Sequence, residues 1–371
     1  GVFAMRLTAN QDIKSLEQWW RMNKAKNFTE FYNAISMQAL PMFNIVYADR
    51  YDTIFYISGG RMPVRNRTNG YKWNSTVVGN TSATLWKEFH PIGDLPQYIN
   101  PGSGYLYNTN HSPFLATDEA FNLHPSGFDP TSGYETTHNN RSARFKELVS
   151  GKEKISYEEF RDIKYDNQLP DQLRYNYNLD SMFFLPAEKY PDIREVITTF
   201  QHWDKKSDTG SKGAAIMALA YQYVMNKMNV WKNHTLTGDQ CLELYRYAAE
   251  QQVKFFGKRG VTLGELQKHI RGSKELPVWG LPDVLTAMYS QPQKNGTLKV
   301  VAGESLIQLV RFSNNQLPVI ETVNCYGASA RPSSEHYTDQ MTLFVEQKTK
   351  PMTLDKETVL RNARKIYQPG K

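Results

Sequence analysis

The sequence predicts an α+β fold, on three observations. Apolar residues at helical spacing over positions 8–40 lead into two strand-like runs, Phe43–Ala48 and Thr53–Ser58. Positions 187–255 form a long helical block. Beyond it the chain turns to runs rich in Val, Ile and Leu, joined by short turns: Leu298–Ala302, Ser305–Phe312 and Pro318–Asn324. Helical and strand segments thus occupy separate stretches.

Each element has a local reason. Ile13, Leu16, Trp19 and Trp20 fall on one helical stripe, which Phe28, Phe31, Ile35 and Leu40 roughly continue. Asn27 with Glu30 three residues on has a capping-box pattern, and Pro41 stops that second helix. Asp49-Arg50-Tyr51-Asp52 separates the strand-like runs and makes them a hairpin, ended by Gly59-Gly60 and Pro63. Positions 66–97 are polar and turn-rich, a long loop with short strands. Helix resumes near Asn140, with Phe145, Leu148 and Val149 as its apolar face, and again after the cap Ser156-Tyr157-Glu158-Glu159. Ile193–Phe200, Gly213–Lys232 and Gly238–Phe256 are helical, and Thr262-Leu263-Gly264-Glu265 caps a further short helix. Asp355–Tyr367 reads as an amphipathic closing helix.

At 371 residues, 40% hydrophobic and 13% aromatic, the chain can bury a sizeable core as two average domains or one large one. The net charge is +7, but basic residues are scattered among acidic ones with no long Lys/Arg run, so nucleic acid is not the expected partner. No apolar run reaches the ~18 residues of a transmembrane helix, and no signal-peptide pattern opens the sequence. The first residue is Gly1 rather than Met, which suggests a processed or truncated piece. Cys241 and Cys325 show no zinc or C-x-x-C spacing, and whether they pair is left open.

The most informative stretch is Tyr98 to Pro113, YINPGSGYLYNTNHSP. Pro101, Gly102 and Gly104 permit a tight turn. A short extended segment after it would place Asn108 and Asn110 on the same side. A carboxamide braced at a strand end can donate to a developing oxyanion, a contact whose loss costs ~10²–10³ in rate. Taken alone, the same residues read as an ordinary Asn-rich turn.

The stretch resembles the NP-x-x-G-Y-[IL]-x-N-x-N-x-[ST]-P segment of the penicillin acylase family of N-terminal-nucleophile hydrolases. Three other segments, in the family's order, are similar to its motifs. Asn44 to Asp49, Ile54-Phe55-Tyr56, Gly60 and Pro63-Val64-Arg65 resemble N-x-x-YAD-x-x-G-x-I-x-Y…G-x-x-P-x-R, with Asp52 where Gly is usual in the turn. Trp203-Asp204 resembles part of an R-W-D-G element, with Gln201-His202 in place of the Arg. Tyr326 to Gln340 resembles G-x-S-x-x-P-x-S-x-H-Y-x-DQ, and His336, Asp339 and Gln340 read as a packing and hydrogen-bond cluster. Ser112-Pro113-Phe114-Leu115-Ala116-Thr117 is closer to the aculeacin and acyl-homoserine-lactone acylase branch.

The resemblance implies an αββα four-layer sandwich, this chain supplying its C-terminal portion with a helical subdomain. Residues 1–140 would belong to the central sandwich with substrate-side loops, 141–290 to a mainly helical region, and 291–371 to returning strands and the closing helix. Asn110 takes the family's oxyanion-hole position. The supporting active-site arginine aligns with Arg141, or with Arg144 if the register slips; a solvent-facing salt bridge is the other reading of either. Asn108, Trp73 and Trp86 are candidate substrate contacts, although Trp73, Trp86 and Phe89 equally suit pinning the long loop to the body. Asp118 lies near a calcium-binding carboxylate of penicillin G acylases, which suggests a structural Ca²⁺, whereas calcium needs six or more oxygens. The chemistry itself requires no cofactor.

In the family the nucleophile is the N-terminal Ser of the mature β chain, with its own α-amino group as base. Gly1 has no nucleophilic side chain. The resemblance therefore implies an autoproteolytically processed precursor whose companion chain carries the Ser, with this chain inactive alone. It implies a small-molecule amide substrate: an acyl-homoserine lactone, a lipopeptide or a β-lactam amide. It also implies export to the periplasm or outside the cell. An inactive relative serving binding or assembly, or an unrelated carbohydrate- or surface-binding protein, are the competing readings.

Overall fold

Two units make up the chain, Gly1–His138 and Asn139–Lys371, in a computed structural model that describes residues 1–175, 178–228, 234–313 and 316–368. In the first, α1 (Ser15–Lys24) and α2 (Phe28–Ile35) precede a hairpin of β1 (Phe43–Ala48) and β2 (Ile54–Gly59). A short β3 (Gln97–Ile99) pairs with the other edge of β2, and both pairings are antiparallel. The expected cap forms: the Asn27 side chain accepts from the Glu30 N–H, and the Glu30 carboxylate accepts from the Lys26 N–H. Asp52 stands at φ 59, and the Asp49 carboxylate accepts from the N–H groups of Tyr51 and Thr53. Asp52 thus takes the left-handed position while Asp49 keeps the turn closed.

β2 is buried on both faces. Phe55 and Ile57 pack with Phe31 and Ile35 of α2, while Tyr56 points the opposite way, against Tyr98 and Ala116. α1 departs from the amphipathic expectation. Leu16, Trp19 and Trp20 are exposed, and the buried residue is Gln18, whose Oε1 accepts from the Ala39 N–H at 2.7 Å. A polar hook, with Met22 packed against the core, holds the helix down in place of the expected stripe.

The second unit opens on α3 (Asn140–Val149) and α4 (Tyr157–Lys164), each started by a reciprocal cap. α5 (Arg194–Gln201), α6 (Lys212–Asn226) and α7 (Gly238–Phe256) contribute most of the main core. Ala214 through Gln222 of α6 are buried without a break, which marks an internal helix. It ends at Asn226, short of the expected Lys232, and residues 229–232 lie outside the described ones. The four-residue α8 (Leu263–Leu266) runs into β4 (Gln267–Arg271), which turns through Gly272-Ser273 into β5 (Lys274–Pro277). With β6 (Met288–Pro292) and β7 (Leu298–Gly303) these form a sheet in the order β5-β4-β7-β6. β8 (Leu306–Arg311), β9 (Val319–Asn324) and β10 (Lys350–Met352) form another, β10-β9-β8.

β4 to β6 were not expected, because their sequences are polar. Gln267 shows how such a strand is buried: its Nε2 donates to the carbonyls of Val278, Trp279 and Gly280 at 3.3, 3.3 and 2.9 Å. Near the C-terminus, α9 (Met341–Val345) follows the Tyr326–Gln340 segment. There His336 Nδ1 meets the Asp339 carboxylate at 2.9 Å and Gln340 Oε1 accepts from the Asn324 N–H at 2.9 Å. The expected closing helix is only α10 (Lys356–Arg361), with no buried residue. Cys241 and Cys325 are free thiols, so they do not pair. Among the described residues no helix is long and apolar enough to cross a membrane.

Candidate oxyanion site

The chain after Tyr105 does not run as a strand. Asn110 sits at φ 61, in the left-handed region, and is exposed. Its N–H donates to Asn108 Oδ1 at 2.8 Å, an Asx turn. The two carboxamides therefore do not share one side of an extended segment. A side chain that captures the N–H two residues on competes with extended backbone and wins here. Asn108 faces inward: its Nδ2 donates to the Tyr56 hydroxyl at 3.2 Å and to the His111 carbonyl at 3.4 Å. Tyr56 in turn donates to Asn44 Oδ1 at 2.8 Å. Burial pushes the Tyr56 phenol well above its ordinary pKa, so the hydroxyl keeps its proton.

His111 closes the far side of this corner. It is buried, and its Nε2 bonds the Leu115 carbonyl at 2.8 Å, which requires the proton on that nitrogen. Nδ1 is then left to accept from the Thr109 N–H at 3.1 Å. The imidazole also stacks on Tyr107, with ring centroids 4.6 Å apart.

Trp73 and Trp86 belong to a cation–indole ladder. The Arg65 guanidinium lies 5.8 Å from Trp73 and 6.0 Å from Trp86, and Arg6 lies 5.5 Å from the other contact ring, Trp86. Arg65 also donates to the Thr131 carbonyl, and Trp73 Nε1 donates to the Asn66 carbonyl at 2.9 Å. Both indoles thus pack on cations of their own unit. Asp118 is exposed and accepts from the Tyr105 hydroxyl at 3.1 Å. Burial first, and the Asp118 carboxylate second, push the Tyr105 phenol up to about 12. Among the described residues no three His, Cys, Asp or Glu side chains gather into a metal-binding group. Asp118 thus offers one oxygen donor toward a calcium shell of six or more.

Arg141 belongs to the second unit, half-buried in the first turn of α3. Its charge acts on Tyr289, opposing the upward push of burial on that phenol. Arg144, one turn later, is committed elsewhere. Its Nε and Nη2 take the Asp166 carboxylate at 3.0 and 2.8 Å, and Nη1 reaches Glu147 at 3.1 Å. The Asp166 contact holds the Arg144 guanidinium above its usual pKa. Of the two arginines the register left open, Arg144 is therefore an internal ion-pair residue.

The family model described as penicillin amidase matches residues 1–361. The chain belongs to the penicillin amidase family. It is similar to the acyl-homoserine lactone acylase PvdQ of Pseudomonas fluorescens (strain Pf0-1), 21% identical over 92% of this chain and 48% of that protein. It is likewise similar to PvdQ of Pseudomonas syringae pv. syringae (strain B728a), 22% identical over 96% of this chain and 51% of that protein. Penicillin G acylase of Escherichia coli is 36% identical over 103 residues, 28% of this chain and 12% of that protein. The chain spans about half the length of the curated relatives it matches across its length. A solved structure, the thermostable penicillin G acylase from Alcaligenes faecalis, superposes with a TM-score of 0.59 at 16% identity, covering 96% of this chain and 72% of that one. The fold is thus α+β, of the N-terminal-nucleophile hydrolase kind.

Sequence reasoning missed Asn44, Tyr56 and His111 as parts of the corner. The first two were visible as letters of the hairpin motif, but a motif does not say which of its residues leave the hairpin. His111 carried no signal beyond its place next to Asn110.

Proposed function

We propose that this chain is the oxyanion-bearing, C-terminal part of a processed amide hydrolase that removes an acyl group through an N-terminal Ser on a companion chain. The α-amino group of that Ser, with an ordinary pKa near ~7.7–8.0, takes the hydroxyl proton as Oγ attacks the amide carbon. The carbonyl oxygen becomes an oxyanion and receives a hydrogen bond from the Asn110 carboxamide. Collapse breaks the C–N bond, the amine leaves with the transferred proton, and an acyl-enzyme remains for water to cleave by the same steps. Arg141 takes the supporting role that the family resemblance gives it, through its planar fork of donors. The companion arises by autoproteolysis of a shared precursor, and the assembly works in the periplasm or outside the cell.

What carries this reading is the corner itself: an exposed carboxamide on a pinned left-handed backbone, in a chain of the penicillin amidase family. Similarity to PvdQ over 92% of the chain favours an acyl-homoserine lactone as substrate, ahead of a lipopeptide or a β-lactam amide. The test is hydrolysis by the assembled enzyme. Asn110→Ala should lower kcat ~10²–10³-fold with KM little changed, as loss of an oxyanion donor does. An assembly without amidase activity on any of the three substrate classes would leave an acylase-like binding subunit instead. An Asn110→Ala enzyme with full kcat would remove Asn110 from the mechanism.

A further inference from the structure

We propose that Tyr56 is a positioning residue for the oxyanion carboxamide, acting through Asn108; the inference rests on the acylase reading of Asn110. Three hydrogen bonds run in one direction from the loop into the sheet. The Asn110 N–H donates to Asn108 Oδ1 at 2.8 Å, Asn108 Nδ2 donates to the Tyr56 hydroxyl at 3.2 Å, and that hydroxyl donates to Asn44 Oδ1 at 2.8 Å. The direction is forced. Asn44 takes the one phenolic proton, so the Tyr56 oxygen has only lone pairs to offer Asn108. Together with the His111 carbonyl, which Nδ2 also reaches at 3.4 Å, it selects the amide orientation with Nδ2 toward Tyr56 and Oδ1 toward Asn110. The opposite orientation would set N–H against N–H at Asn110.

The two ends of this relay differ in rigidity. Tyr56 is fully buried at the middle of β2, which is paired on both edges, and its ring lies 6.0 Å from Tyr98. Asn110 is exposed, at a positive φ that asparagine tolerates better than most residues and that its N–H bond to Asn108 fixes here. The relay carries the stiffness of the sheet centre to that corner, across 52 positions of sequence between Tyr56 and Asn108. It also gives a role to the motif positions Asn44 and Tyr56, and a positioning role to Asn108 beside that of candidate substrate contact. Asn44 is the Asn of N-x-x-YAD, Tyr56 the last residue of I-x-Y, and Asn108 the first Asn of N-x-N.

The experiment measures kcat and KM of the assembled enzyme on decanoyl and phenylacetyl p-nitroanilides. Tyr56→Phe keeps the ring and removes the hydroxyl; kcat should fall about tenfold with KM within about twofold, the scale of one lost hydrogen bond. Asn44→Ala, at an exposed position, should lower kcat in the same direction and decides the matter if Tyr56→Phe does not fold. In an Asn110→Ala background Tyr56→Phe should have no further effect, because its action passes through Asn110. An equal fold-loss in both backgrounds would mean a general structural role and overturn the proposal. So would kcat unchanged in both Tyr56→Phe and Asn44→Ala while Asn110→Ala is impaired. If Asn110→Ala itself is unimpaired, the acylase reading of Asn110 fails, and the relay is judged by amide exchange at the Asn110 N–H. Faster exchange in Tyr56→Phe supports it, and unchanged exchange refutes it.

Discussion

Gly213→Ala should destabilise the protein although it adds a better helix former. Gly213 lies in the first turn of α6, against the face of Trp203. A Cβ there would come 2.2 Å from Trp203 Cγ and 2.4 Å from its Cβ, where carbons ordinarily stay ~3.5–4.0 Å apart. Trp203 has no room to yield. Its Nε1 donates to the Lys206 carbonyl at 2.7 Å, and its ring packs on Phe200 at 5.5 Å. Helix propensity favours Ala by ~1 kcal/mol. Overpacking costs ~1–3 kcal/mol, and a displaced indole loses a hydrogen bond worth ~1 kcal/mol. The net is a loss of about 2 kcal/mol, read from urea unfolding followed by tryptophan fluorescence. Gly210→Ala is the control, since its Cβ would meet nothing within 4 Å, and it should be neutral or slightly stabilising. A Gly213→Ala protein as stable as the parent would refute the close-packing argument and the role it gives the Trp203-Asp204 motif.

Two further outcomes follow from buried polar groups. Arg144→Met should cost ~3 kcal/mol, because it strands Asp166 in a pair whose side chains are only 13% and 14% exposed; adding Asp166→Asn should recover part of the loss in the same urea assay. His269 is buried between Tyr326 and Phe344 with Nε2 on the Cys325 carbonyl at 2.5 Å, and burial pushes its pKa below the ordinary value. The unfolded chain therefore binds this proton more readily than the folded one, and stability rises with pH. Its contribution is complete above the unfolded pKa of ~6.5 and is lost as pH falls below that toward the depressed folded value. Unfolding free energies at about pH 7.5, 6.5 and 5.5 should fall more steeply for the parent than for His269→Phe, and parallel curves would exclude the assignment.

Residues whose role is fulfilled within a few positions were legible in the sequence. Asn27 caps α2 with Glu30, Ser156 caps α4 with Glu159, and Asp49 closes the hairpin, each through groups three or four residues away. The Gly272-Ser273 turn between β4 and β5 carried a two-residue hairpin signal that the polar strands around it concealed. The N-x-N segment was legible as chemistry but not as geometry. Its spacing allowed both an extended segment and an Asx turn, and only the inward contact to Tyr56 separates them.

The sequence by itself determined most of the stretches that become helix or strand, β4 to β6 excepted, where most of those start, and the family to which the chain belongs. Those properties rest on φ restrictions, caps and side-chain alternation, which act over a few residues. Tertiary structure decided that Gln18 rather than Trp20 is buried on α1, that Gln267 draws a polar strand into the interior, and that Arg144 is spent on Asp166. It also decided that Asn110 turns outward while Asn108 turns in. Each depends on a partner far away in sequence, and a hydrogen bond's worth is set by burial that no local pattern encodes.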